Sequence, residues 1–191
     1  MLNQIAGFQI PLQQTLQGAL VLNKTILGVS AAIHGIICKE YVEYHINKPS
    51  SPSSHTDLQI FNGQNSANST NLPSFFEIYK FVNYVFYRAR LEPECLIAAL
   101  IYIQNLLQAE TQLHLTIQNW ERVTYVCLMI ASKMWDDISC SSKGFCKCSE
   151  GSISQEDLNS MERFALQILN NSLYITAETY RIVYYDLKKI W

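Results

Sequence analysis

Leu96-Ile97-Ala98-Ala99-Leu100-Ile101-Tyr102-Ile103 and Val123-Thr124-Tyr125-Val126-Cys127-Leu128-Met129-Ile130-Ala131 are the two stretches that decide the fold. Wound as helices, neither leaves a polar stripe on any side. A helix that is apolar all round has to be buried all round. Two such helices need further helices packed about them, so the pattern asks for a globular domain with a central buried helix. An elongated bundle or a solenoid would leave at least one of these faces in water.

Working outward, each neighbouring helix carries its own start signal. Ser74 with Glu77 makes a capping box ahead of residues 75–90. Pro93, followed by Glu94 in the first turn, opens residues 93–108. Thr116 can cap 117–136, Ser154 with Asp157 makes a second box before 155–170, and Thr176 begins a last helix reaching about residue 190. Period-two alternation is absent from the sequence, so the fold class is all-α.

Upstream, Leu12, Leu16, Leu20, Ile26, Val29, Ile33, Ile37, Tyr41 and Tyr44 recur mostly three and four apart, which predicts an N-terminal helical extension over 1–46. Gly28, Ala31, Ala32 and Gly35 would let another backbone approach it closely. Either the helix docks on the main domain or it binds a partner or a second copy. Residues 47–73 are crowded with Ser, Asn, Pro and Gly and read as a flexible linker, leaving 74–191 as the five-helix domain. Within the linker, Ser51-Pro52 is a proline-directed phosphorylation candidate.

Composition narrows the function. Apolar residues make up 49% of the 191 and charged residues 16%, and the formal charge is −2. A protein that neutralises phosphates shows a basic surplus, so no nucleic-acid partner is expected. The apolar run 25–38 is short for a membrane span and carries His34, so no span is expected either. No basic region opens the chain as a secretory signal would, and Cys95 and Cys127 lie inside apolar runs. An intracellular setting follows, in cytoplasm, nucleus or both. No glycine-rich phosphate loop, His-Glu-x-x-His or nucleophile elbow is present in the sequence, so no catalytic residue and no cofactor are expected. Cys140, Cys146 and Cys148, interleaved with Lys143 and Lys147, are the one group to weigh as metal ligands or low-pKa thiols. Their Cys-x5-Cys-x-Cys spacing lacks the paired Cys-x2-Cys of structural zinc, and no metal site is expected there.

Three segments then carry a family resemblance. Asn119-Trp120-Glu121-Arg122 … Leu128-Met129-Ile130-Ala131-Ser132-Lys133-Met134-Trp135-Asp136-Asp137 resembles the third helix of the cyclin box, with its Ala-Ser-Lys step after a buried run. Residues 157–169 resemble the fourth helix, and Tyr180-Arg181-Ile182-Val183-Tyr184-Tyr185-Asp186-Leu187 the fifth. The Ser-Lys-x-Trp-Asp-Asp step and the Tyr-Asp-Leu ending are most similar to cyclin Y and the phosphate-pathway cyclins. The resemblance implies a non-enzymatic regulatory subunit that binds and activates a cyclin-dependent kinase, of the PCTAIRE-like or phosphate-pathway type. The rival is a cyclin-fold adaptor in transcription or scaffolding that activates no kinase. Carried over position by position, the resemblance implies that Lys133 and Glu162 hydrogen-bond kinase backbone. It also implies that Met134, Leu166 and Leu173 form an apolar pocket for the kinase's regulatory helix. Trp135, Asp136 and Asp137 would lie beside that site and tune which kinase fits.

Departures accompany the match. The first helix begins Phe75-Phe76-Glu77-Ile78-Tyr79-Lys80-Phe81-Val82, without the Met-Arg-Ala-Ile-Leu type of substrate-docking patch found in many cyclins. Asn171 stands where an aromatic is common, the loop 138–153 is long, and no second five-helix repeat lies within the 191 residues.

Overall fold

The computed structural model describes residues 12–46, 56–62, 71–110 and 113–190. Among them are seven α-helices: α1 (Leu12–Ile46), α2 (Phe75–Ala89), α3 (Pro93–Ala109), α4 (Trp120–Trp135), α5 (Ser142–Cys148), α6 (Gln155–Ile168) and α7 (Ala177–Lys188). A short 3-10 turn spans Thr56–Phe61, and the described residues contain no strand.

The two apolar stretches form the middle of the molecule as expected. α3 is buried without a break from Cys95 to Ile103, and α4 from Arg122 to Ser132. These two helices pack along each other, while α1, α6 and α7 cover the remaining faces of α3. Full burial of one Leu, Ile or Val side chain contributes about 1.5–3 kcal/mol, so this pair dominates the core.

Local signals fix the helix ends. Ser74 Oγ accepts the Glu77 N–H at 3.3 Å, and Glu77 Oε2 accepts the Ser74 N–H at 2.7 Å, completing the predicted box. α2 stops where Arg90 turns left-handed at φ 55°, and Pro93 starts α3 three residues later. The box at α6 is half made, because Ser154 Oγ accepts the Asp157 N–H at 3.0 Å and no return bond closes it.

α4 begins later than Thr116 predicts. Asn119 Oδ1 accepts the Thr116 N–H at 2.7 Å and its Nδ2 donates to the His114 carbonyl at 2.9 Å. This buried asparagine knots residues 116–119 into a turn, and the helix starts at Trp120.

α1 adopts the docked alternative of the two foreseen. Ile26, Val29, Ile33 and Ile37, one per turn, are buried against α2 and α3. Ser30 and Thr25 return their hydroxyls to the Ile26 and Val21 carbonyls at 2.7 and 3.0 Å, so neither brings an unpaired group inside. At the far end His114 Nδ1 lies 2.6 Å from Glu40 Oε2. Gly35 does not serve the close approach expected of it, for a Cβ there would meet nothing within 4 Å. Leu20–Glu43 is long and apolar enough to cross a membrane, longer than the short run weighed from sequence, yet its buried stripe is part of the protein core.

Two further departures concern segments read as irregular. Inside the proposed linker, the 3-10 turn places Phe61 fully in the core, its ring 5.8 Å from that of Phe164 on α6. Residues 47–55 and 63–70, with Ser51-Pro52, lie outside the described residues. The long loop after α4 contains α5, capped by Ser141, whose Oγ accepts the Gly144 N–H at 3.1 Å. Phe145 anchors it, stacked edge-to-face on Tyr125 at 5.7 Å while the Tyr125 hydroxyl donates to the Phe145 carbonyl.

Candidate functional site: the end of α4 and its neighbours

After the buried Ser132, the last turn of α4 leaves the core and turns Lys133, Met134 and Trp135 outward. Lys133 Nζ donates to Glu162 Oε1 of α6 at 2.6 Å and to Ser142 Oγ of α5 at 2.7 Å. Their side chains are 31% and 18% exposed, so the pair is sheltered at its flanks but open to a partner. Met134 beside it is 53% exposed, a large apolar side chain left in water. Leu166 and Leu173 are half-buried and rest on the core cluster. Lys133 and Glu162, chosen from sequence 29 residues apart, are thus brought together.

The residues expected to tune kinase choice do different things. Asp137 is exposed. Asp136 is occupied internally: Oδ1 accepts the Glu92 N–H and the Cys95 thiol, both at 3.0 Å, and Oδ2 accepts the Ser132 hydroxyl. One carboxylate therefore ties the start of α3 to the last turn of α4. Burial, and then the neighbouring carboxylate, push the Cys95 thiol far up, so it stays protonated and serves as a donor.

Trp135 is stacked on Tyr180 of α7, centroids 5.6 Å apart at 22°, and its Nε1 donates to the Tyr102 hydroxyl at 3.3 Å. Tyr102 in turn donates to the Leu173 carbonyl at 2.9 Å. This chain of contacts fixes Leu173 relative to the end of α4. Burial pushes the Tyr180 phenol up to about 12, leaving it neutral under the indole.

Sequence reasoning missed Ser142 and Tyr102, and places Tyr180 only within the fifth-helix resemblance. Ser142 lies in a stretch read as loop, and Tyr102 was counted only as one more apolar side chain. Asn171 has an explanation in the backbone. Asn170 and Asn171 both adopt positive φ, 50° and 54°, and the Asn171 N–H returns to the Leu166 carbonyl at 2.8 Å. Asparagine tolerates that left-handed conformation far better than a bulky aromatic.

On another face, α2, the start of α4 and the start of α6 enclose a groove of about 1420 Å³. Glu77, Tyr84, Trp120, Glu150 and Asp157 line it. Tyr84 donates to Glu150 at 2.7 Å across its rim, and Arg122 Nη2 lies 3.2 Å from Asp157 in its wall. Among the described residues no three His, Cys, Asp or Glu side chains converge as metal ligands would.

Residues 51–174 match the family model described as the cyclin N-terminal domain. The match covers more than half of the chain, from before the 3-10 turn through α6, and the chain belongs to the cyclin family. It is a family of regulatory, non-catalytic proteins that typically bind cyclin-dependent kinases. α1 and α7 fall outside the matched span.

Proposed function

We propose that the chain binds the small lobe of a cyclin-dependent kinase through the α4–α6 face and activates it. A cyclin presses the kinase's mobile helix inward, so that its glutamate pairs with the ATP-site lysine. The cyclin does so by contacting the active arrangement better than the inactive one, which is a population shift. Lys133 offers an ammonium and Glu162 a carboxylate to backbone groups of the kinase, and charge-assisted bonds are the stronger kind. Met134, Leu166 and Leu173 receive an aliphatic side chain next to them. The observation that carries this reading is the convergence of Lys133 and Glu162 to 2.6 Å beside an exposed methionine. The Ser-Lys-x-Trp-Asp-Asp step favours a kinase of the PCTAIRE-like or phosphate-pathway type.

The test is a binding and activation assay with candidate kinases and purified chain. The chain alone should turn over no ATP and should raise the kinase's activity. Lys133→Ala and Glu162→Ala should each weaken binding by about 2–5 kcal/mol, as for a charge-pair partner removed from an interface, against about 0–1 for a bystander surface charge. Both residues serve one kinase segment, so the double variant should be non-additive. Folded single variants that activate normally would refute the assignment of these two residues. Tight binding without activation would identify an adaptor.

A further inference from the structure

α5 carries a pair of thiols that the kinase-binding reading leaves unused. Gly144 stands one helical turn before Cys148, on the same face, and helical side chains lean toward the N-terminus. The Cys148 side chain therefore leans over residue 144. The Cys140 thiol fills the same space from the other side, for a Cβ at Gly144 would come within 2.5 Å of Cys140 Sγ. The two side chains therefore meet above the bare glycine. Cys146 turns elsewhere, its thiol donating to the Ile153 carbonyl at 3.4 Å.

We propose that Cys140 and Cys148 form a reversible disulfide that a hydroperoxide closes across α5. Cys140, the more exposed of the two, reacts first. Its sulfur attacks one peroxide oxygen, the O–O bond breaks, and a sulfenic acid and one water (or alcohol) result. The Cys148 sulfur then attacks the sulfenic sulfur, the S–O bond breaks, a second water leaves and the S–S bond forms. Two thiol protons and two electrons pass to the peroxide, and a dithiol reductant reverses the change. Burial pushes both thiols up, so closure is slow and needs excess peroxide.

The consequence reaches the end of α4. The closed loop contains Ser142, which holds Lys133, and the Cys140 N–H donates to Ser132 Oγ at 3.4 Å. Oxidation would pin that loop against α4.

The experiment uses the full chain alone and is independent of any kinase. It is incubated with excess hydrogen peroxide, sampled over time, alkylated and digested with trypsin. Cleavage after Lys143 and Lys147 puts Cys140, Cys146 and Cys148 on separate peptides, so the linkage is read directly. The expected result is loss of two of the six thiols, a Cys140–Cys148 crosslink, and recovery of both with dithiothreitol. Cys140→Ser should abolish the crosslink, whereas Cys146→Ser should leave it intact. Gly144→Ala, which keeps both sulfurs but displaces that of Cys140, should slow closure about tenfold or more, since exchange depends on access. Circular dichroism confirms that each variant is folded. A crosslink through Cys146, disulfide-linked dimers, or Cys140 oxidised while Cys148 stays free would each overturn the proposal.

Discussion

Replacing Asp136 with alanine separates two roles for the same carboxylate. Its oxygens accept the Glu92 N–H, the Cys95 thiol and the Ser132 hydroxyl, and the last of these groups is wholly buried. Alanine leaves the Glu92 N–H, just ahead of α3, and the serine hydroxyl without their acceptor. A hydrogen bond to a charged group contributes about 1.5–3 kcal/mol. The three bonds share one half-buried group and are not additive, so about 2–4 kcal/mol is expected in all. For a chain of this size that lowers the melting midpoint by about 6–12 °C. Asparagine keeps an acceptor for the Glu92 N–H but points an NH2 at other donors, and should recover about half of the loss. Urea unfolding and thermal melts of the free protein measure both variants. If Asp136→Ala melts within about 2 °C of the parent, the carboxylate is not a structural tie, and a loss of kinase affinity in that variant would restore it to the interface.

Other expectations follow from neighbouring features. Phe61→Ala empties a fully buried site against Phe164 and should cost about 3–5 kcal/mol by urea unfolding; a near-neutral result would mean the 3-10 turn is not docked. Limited proteolysis should cut first within 47–73, on either side of Phe61, and initial cuts within 74–108 would contradict the proposed boundary. Trp135→Phe keeps the stack on Tyr180 but loses the bond to Tyr102, so it should destabilise less than Trp135→Ala, as comparative melts will show. Hydrogen bonds from Ser74 hold the Glu77 carboxyl below its usual 4.5, so its capping contribution is complete above that pH and fades as pH falls through the lowered value. Amide exchange at the start of α2 should accelerate over that acid range, and Glu77→Gln should flatten the response.

What the sequence made legible was whatever depends on local pattern. The unbroken apolar runs located α3 and α4, and Ser74, Pro93, Ser154 and Thr176 located the starts of four helices within a residue. Spacing could not reveal the contact between Lys133 and Glu162 across 29 residues; only the family resemblance singles out both residues. Most of the misses required knowledge of what lies opposite. Phe61 is one aromatic in a polar stretch, and only the presence of Phe164 gives it somewhere to go. Asp136 reads as a surface acid until the α3 terminus is placed beside it. Thr116 is an acceptable cap by composition, but Asn119 makes two bonds there that only the folded turn provides. α5 is too short, and too rich in serine, lysine and cysteine, for periodicity to register.

The docking of α1 also sets an order of events on the ribosome. Its stretch Leu20–Glu43 has the length and hydropathy of a membrane segment, and it leaves the exit tunnel before α2, α3 and α7, the helices that cover it, have been made. For the time needed to translate the rest of the chain, Ile26, Val29, Ile33 and Ile37 have no partner surface. An apolar run of about 20 residues is also what a membrane span requires, so the same stretch meets two packing demands. α1 therefore gains its full set of packing partners only once the rest of the chain has been made.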